Sequence, residues 1–223
     1  MRNITIIVAG GSGTRFGAAL PKQFLLLNGK PVLQHTLEVF ASVSDILVVV
    51  LPQAHHDLWR QLCDQHRCTV MHTVVTGGDT RWQSVKNAID TLTVQPGDVI
   101  AVQDGVRPLV SRQVIEKAFA VARQCGSAVP VIPVTDSIRQ VEADGTSHIV
   151  PRSVLRAVQT PQAFDAVALK AAYERPYLPV YTDDASVYEL AGHKVTLIDG
   201  ETTNIKITHP SDLLLAENIL KHE

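Results

Sequence analysis

The sequence predicts an α/β fold with a mostly parallel, doubly wound sheet, and three observations support that reading. Strand-like and helix-like segments alternate along most of the chain, as in βαβ units. Ile4-Thr5-Ile6-Ile7-Val8 and Ile46 to Leu51 are apolar runs rich in β-branched residues, the pattern of strands covered on both faces. The first run feeds a glycine-rich loop, Ala9 to Lys22, and open α/β sheets bind ligands where such strands end. No repeat, low-complexity stretch or linker interrupts the pattern, so one domain over 1–223 is the simplest organisation.

After the loop, Val32, Leu33, Thr36, Leu37 and Phe40 recur at helical spacing, and the strand Ile46 to Leu51 follows. His55 to His66 reads as a helix and Thr69 to Val75 as a strand. Thr80 to Leu92 places Trp82, Val85, Ala88, Ile89 and Leu92 on one stripe, a helix with one buried face. Val99 to Val102 is a strand running into Gln103-Asp104-Gly105, and Ser111 to Cys125 is a helix with Val114, Ile115, Ala118, Phe119 and Ala122 inward. Ala128 to Val134 is again a strand. From Thr135 to Pro151 the rhythm breaks into a hairpin around Asp144-Gly145. Such a hairpin is too small for a core of its own, so it is expected to pack on the body or to clasp a second copy of the chain. Helices near Phe164 to Tyr173 and Asp183 to Leu190, a strand Lys194 to Ile198, the segment Asn204 to Thr208 and a helix Ser211 to Leu220 complete the order.

The first loop holds Gly10, Gly11, Gly13 and Gly17. Without Cβ atoms these positions let backbone amides turn toward one point and form an anion nest. Arg15 and Lys22 supply cations there, so the stretch describes a cradle for a polyphosphate. It is not the dinucleotide fingerprint, because Phe16 stands where the third glycine belongs. Nor is it a P-loop, because Phe24 stands five residues before the Gly29-Lys30 pair. Read as G-G-S-G-T-R with P-K after it, the loop resembles the nucleotidyltransferase signature. A nicotinamide oxidoreductase would also need an acidic residue closing the second strand, where Leu51-Pro52-Gln53 stands.

Composition narrows the function classes. With 223 residues, 45% apolar and 19% charged, the chain is an ordinary globular protein with a core of useful size. Its net charge of −2 lacks the basic excess of a nucleic-acid binder. No apolar run is long enough to span a membrane, and entry into a strand by residue 4 predicts neither signal nor transit peptide. Cys63, Cys68 and Cys125 are odd in number and unpatterned, which fits a reducing cytoplasm.

Further chemistry collects at later strand ends. Gly77-Gly78-Asp79-Thr80-Arg81 opens a helix whose amides can face a ligand, with Ser84 one turn in. The competing reading makes Asp79 a helix cap. Asp104, in D-G-V-R-P, can take Mg²⁺ through water or accept a hydroxyl hydrogen bond; the competing reading is an Asx-turn. Other residues read as structure. His55, His56, Cys63, His66 and Cys68 lack zinc-ligand spacing. Trp59 reads as helix packing, Asp183-Asp184 as a helix N-terminus rather than a metal pair, and Cys125 as core.

Together with P-K-Q-F, the blocks G-G-D-T-R-W-Q-S-V, D-G-V-R-P, T-P-Q-A-F, T-D-D-A-S and N-I-K-I-T resemble, in order and over the whole length, the 2-C-methyl-D-erythritol 4-phosphate cytidylyltransferases of non-mevalonate isoprenoid synthesis. Ribitol-5-phosphate cytidylyltransferases share most of these signatures, and an inactive nucleotide-binding regulator on the same fold is a more remote alternative. The resemblance implies a Rossmann-like three-layer αβα sandwich with a protruding β-arm, 135–152, through which a homodimer forms. It implies CTP and a sugar-alcohol phosphate as substrates, with Mg²⁺ as cofactor. Arg15, Lys22 and Lys206 match the catalytic cations. Ala9, Gly10, Gly11, Ser12, Gly13 and Thr14 would cradle the triphosphate, and Gly77, Gly78, Asp79, Ser84, Asp104 and Gly105 would complete the nucleotide site. Asp104, Arg107, Thr160 and Lys206 would meet the acceptor, joined by Ser137 and Arg152 from the partner's arm. Gly105 replaces an alanine common among relatives, an exchange expected to be silent.

Overall fold

The structure is a computed structural model that describes residues 1–11 and 20–222. Its strands and helices follow in order as β1 (Asn3–Val8), β2 (Leu26–Leu27), β3 (Lys30–Pro31), α1 (Val32–Ala41), β4 (Ile46–Leu51), α2 (His56–Gln65), β5 (Thr73–Thr76), α3 (Arg81–Asp90) and β6 (Val99–Asp104). Then come α4 (Arg112–Cys125), β7 (Ser127–Pro133), β8 (Ile138–Val141), β9 (Ser147–Val150), β10 (Arg156–Val158), β11 (Gln162–Asp165), α5 (Ala166–Tyr173), α6 (Asp184–Leu190), β12 (Leu197–Asp199) and α7 (Pro210–His222).

Pairing in the main sheet runs β5–β4–β1–β6–β11–β7, with β10 and β12 also bonded to β7. β1, β4, β5 and β6 are mutually parallel, as is the β7–β12 pair; β10 and β11 run antiparallel to their neighbours. Side chains alternate between faces along each strand, and the two buried clusters record this directly. Ile7, Leu47, Val49 and Ala101 pack under α1, α2 and α4 on one face. Ile4, Ile6, Val48, Val50, Ile100 and Val102 pack under α3, α5 and α6 on the other. The expected three-layer sandwich is therefore present. A smaller cluster joins Leu27, Val32, Val106 and Ile207 to Ala216 of α7.

Local signals end the helices where the residues dictate. Ser111 caps α4 by accepting from the Val114 amide, and Gly126 closes it at φ +86°, a left-handed conformation that favours glycine. Asp183 caps α6 in a capping box with Ser186, as its place before the helix predicts. Trp59 is buried against Phe24 with ring centres 6.1 Å apart, in agreement with a packing role.

Several expectations are corrected. The helix expected from Phe164 begins at Ala166, because Gln162–Asp165 is strand β11, seated between β6 and β7. The strands expected at Thr69 to Val75 and Lys194 to Ile198 lie at Thr73–Thr76 and Leu197–Asp199. Cys125 is exposed rather than core, because the inward stripe of α4 ends at Ala122. The hairpin around Asp144-Gly145 is present as β8–β9, yet it forms a sheet of its own and exposes Val141 and Ile149 by 69% and 73%.

Candidate functional site

Three parallel strands end together, and the residues just beyond them are tied into register. The Ala9 amide donates to Val50 O (3.0 Å), Gly77 to Leu51 O (2.9 Å) and Gly105 to Val8 O (2.9 Å). At these strand ends lies a cavity of about 460 Å³, where open α/β sheets hold ligands. Val8 through Gly11, Lys22 and Gln23 line it from the first loop; Gly78, Asp79, Arg81 and Ser84 line it from the start of α3; Asp104 and Lys206 line it from two further segments.

Lys22 and Gln23 open a short 3-10 turn, Lys22–Phe24. Gln23 is buried and its side-chain amide donates to Ala9 O at 2.8 Å and Gly11 O at 3.4 Å. Phe24, locked against Trp59 and edge-on to His55 at 5.6 Å, anchors the turn from the other side. Lys22 is thereby placed at the cavity by two buried neighbours.

At α3 the cap is Thr80, whose hydroxyl accepts from the Gln83 amide at 3.0 Å. Asp79 therefore precedes the cap and lines the cavity instead; the reading of Asp79 as the cap is overturned. The buried Ser84 hydroxyl accepts from the Gly78 amide at 3.1 Å, which folds the glycine turn back over the helix. A Cβ at Gly78 would stand 2.0 Å from Gln83 Cγ, so this close return leaves no space for a side chain.

Asp104, 8% exposed, collects cations from distant parts of the chain. Its Oδ2 accepts from Lys206 Nζ at 3.0 Å and from Arg107 Nε at 3.1 Å, while Arg107 also donates to Asn204 O at 2.7 Å. Burial pushes the carboxyl upward, but the charges of Lys206, Arg81 and Arg107 outweigh it and hold Asp104 below the usual carboxylate value. It is a fixed anion here, and the Asx-turn reading does not describe its side chain. The Arg81 guanidinium donates at 2.5 Å to Asp184, which is fully buried and also accepts from Tyr173 OH at 2.7 Å. Burial would lower Arg81, yet the charge and hydrogen bond of Asp184 raise it above its ordinary value.

The structure thus brings together Ala9, Gly10, Gly11, Lys22, Gly78, Asp79, Ser84, Asp104 and Lys206 around one cavity. Gly77, Gly105, Arg107 and Thr160 are not among its described lining residues; Arg107 and Thr160 instead hold Asp104, the Thr160 hydroxyl accepting from its amide at 3.1 Å. Ser137 and Arg152 are exposed at the arm, where Arg152 donates to Thr135 O. Ser12, Gly13, Thr14 and Arg15 lie outside the described residues. Sequence reasoning missed Gln23, Arg81 and Asp184 as site residues. Arg81 and Asp184 sit inside quoted motifs but 103 positions apart, and nothing in local pattern pairs them.

Gly105 also departs from expectation. A Cβ there would lie 2.9 Å from Ala9 Cβ and 3.2 Å from both Leu33 Cδ1 and Val8 O. Alanine is therefore not silent in this packing, and Gly105→Ala is expected to cost about 1–3 kcal/mol through overpacking. A urea midpoint equal to that of the parent chain would refute the clash.

Comparison with known proteins adds an independent line. The family model described as 2-C-methyl-D-erythritol 4-phosphate cytidylyltransferase matches residues 3–222. The protein of that name from Bacteroides thetaiotaomicron is 45% identical over 222 residues, covering 99% of this chain and 100% of its own. Its namesake from Porphyromonas gingivalis is 48% identical over 220 residues, covering 98% of each. The crystal structure of the Thermus thermophilus protein of the same name superposes with a TM-score of 0.80 at 31% identity, covering 99% of this chain and 100% of that one. A sandwich whose strand ends gather glycine amides, Lys22, Lys206 and Asp104, matched over nearly its full length by one family, has a single assignment: the chain belongs to the 2-C-methyl-D-erythritol 4-phosphate cytidylyltransferase family.

Proposed function

We propose that the chain transfers the cytidylyl group of CTP to 2-C-methyl-D-erythritol 4-phosphate, releasing pyrophosphate. The observation that carries this reading is the full-length family match on a cavity lined by the first glycine loop, Lys22, Asp104 and Lys206. In this reaction an acceptor phosphate oxygen bonds to the α-phosphorus as the bond to the bridging oxygen breaks. Both reactants are anions, so catalysis consists of positioning and neutralising charge on the non-bridging oxygens. Lys22 and Lys206 act as point charges at the cavity, and Arg15 would add a bidentate donor. Gly78, Asp79 and Ser84 would hold the nucleoside, Gly10 and Gly11 the triphosphate. Asp104, kept ionised by its cations, would accept from an acceptor hydroxyl and orient Lys206.

Among the described residues no group of three or more His, Cys, Asp or Glu is placed to hold a metal. One carboxylate in the cavity still suits Mg²⁺, which relies on few protein ligands, substrate phosphates and retained waters. Oδ2 of Asp104 is engaged by Lys206 and Arg107, so Oδ1 is the atom that would meet the ion or one of its waters. When bound, the ion would screen the triphosphate and favour departure of pyrophosphate.

The exposed Val141, Ile149 and Val154 support a homodimer through the arm, since apolar side chains left open to water on so small a hairpin gain by being covered. Ser137 and Arg152 would then serve the partner's acceptor site. Light scattering at micromolar concentration is expected to return the dimer mass, and a monomer would contradict the clasping arm. No helix among the described residues is long and apolar enough to cross a membrane; three cysteines without a disulfide support a cytoplasmic setting.

The deciding experiment is pyrophosphate release with CTP and Mg²⁺, offering each acceptor in turn. Turnover is expected with methylerythritol phosphate. Turnover with ribitol 5-phosphate alone would overturn the assignment.

A further inference from the structure

Lys206 reaches Asp104 from a segment that forms neither helix nor strand, so something else must hold it still. The residues on either side of its span, Asn204 and Ile207, are both fully buried. Ile207 is fixed by packing and by its amide bond to Val106 O at 2.9 Å. Asn204 is fixed by polar contacts. Its Nδ2 donates to Thr160 O at 2.9 Å, and its backbone carbonyl accepts from Arg107 Nη1 at 2.7 Å. The Thr160 hydroxyl accepts from the Asp104 amide at 3.1 Å, and Arg107 Nε closes the circuit on Asp104 Oδ2 at 3.1 Å. Four residues from three separate segments thus form a closed ring, with Lys206 two positions from one member and bonded to another.

Among the described residues, Asn204 Oδ1 is buried without a hydrogen-bond partner. An orphaned buried acceptor is destabilising, and an apolar side chain of similar size would avoid it. The amide's use therefore lies in its Nδ2 donor, which serves the carbonyl of the buried Thr160. We propose that Asn204 is a positioning residue, whose side chain, through its bond to Thr160 O, helps to fix the Lys206 ammonium against Asp104, while its backbone carbonyl holds Arg107 whatever side chain stands there. The inference rests on Lys206 and Asp104 serving the reaction proposed above, and its test includes an arm that needs no turnover.

The first readout is chemical. Lys117 matches Lys206 in side-chain exposure, 44% against 45%, and serves as internal reference for acetic anhydride labelling followed by peptide mass spectrometry. In Asn204→Ala the Lys206 rate is expected to rise at least about threefold relative to Lys117, because the side-chain tie to Thr160 O is lost and the ion pair loosens. An unchanged ratio overturns the proposal, whether or not the chain turns over CTP. The second readout is a mutant cycle: Asn204→Ala is expected to lower kcat/KM for the acceptor by at least about tenfold, but by less than about threefold in a Lys206→Ala background. A merely structural role predicts the same factor in both backgrounds, and that result also overturns it. Should Asn204→Ala not fold, Asn204→Ser, whose hydroxyl is too short to span to Thr160 O, carries the same expectations.

Discussion

Lys22→Ala is expected to lower kcat by at least about 10²-fold, equivalent to about 2.7 kcal/mol of transition-state stabilisation, with the fold intact. The chemical part of this expectation is electrostatic. A cation in a partly enclosed cavity meets charge that grows on the α-phosphate only as the acceptor closes in, so its loss appears in kcat more than in ground-state binding. The structural part follows from the turn. Gln23 bonds Ala9 O and Gly11 O, and Phe24 packs on Trp59, so the neighbours of residue 22 hold the backbone there. Steady-state kinetics with both substrates, together with a thermal melt, separates the two. A loss below tenfold at unchanged melting temperature would remove Lys22 from the catalytic set.

Asp184→Asn is expected to destabilise the chain by about 2–4 kcal/mol, read as a fall in Tm of about 5–15 °C for a domain of this size. Asp184 is fully buried, while the Arg81 side chain keeps 31% exposure. Neutralising the carboxylate therefore strands a cation that water can reach only in part, and the cost lies below that of a wholly buried pair. The substitution also leaves one acceptor oxygen where Arg81 and Tyr173 each donate to their own, and it removes the charge that, after burial, holds the Tyr173 hydroxyl above its ordinary value. Tyr173→Phe deletes only that hydrogen bond and should cost about 1–3 kcal/mol. Because Arg81 lines the cavity, Asp184→Asn should also weaken CTP binding measured calorimetrically below the Tm. A melt within about 2 °C of the parent would show that the pair contributes nothing net.

β1 and β4 were legible in the sequence because their apolar runs are buried on both faces, and burial of that kind leaves a mark in every position. α4 was legible from its stripe and from Ser111. β11 was not: Gln162-Ala163-Phe164-Asp165 is four residues long and carries no period of its own, and it is a strand because β6 and β7 leave hydrogen-bonding edges on either side of it. Tertiary pairing overrode local propensity there. Cys125 misled in the opposite way, since one apolar residue at a helix end says little about which way the last turn faces.

Within the site, single motifs announced themselves through backbone demands: a glycine where the chain folds back closely, as at Gly78, and a short polar residue before a helix, as at Thr80. Those are local requirements, and residue type alone answers them. The α/β class, the hairpin around Asp144-Gly145 and the family were all determined by the amino-acid order. Which charges touch was decided only when the chain folded. Asp104 meets Lys206 across 102 positions, and Arg81 meets Asp184 across 103. Coulomb and hydrogen-bond energies depend on ångströms, not on sequence distance, and those ångströms are set by the ends of three parallel strands.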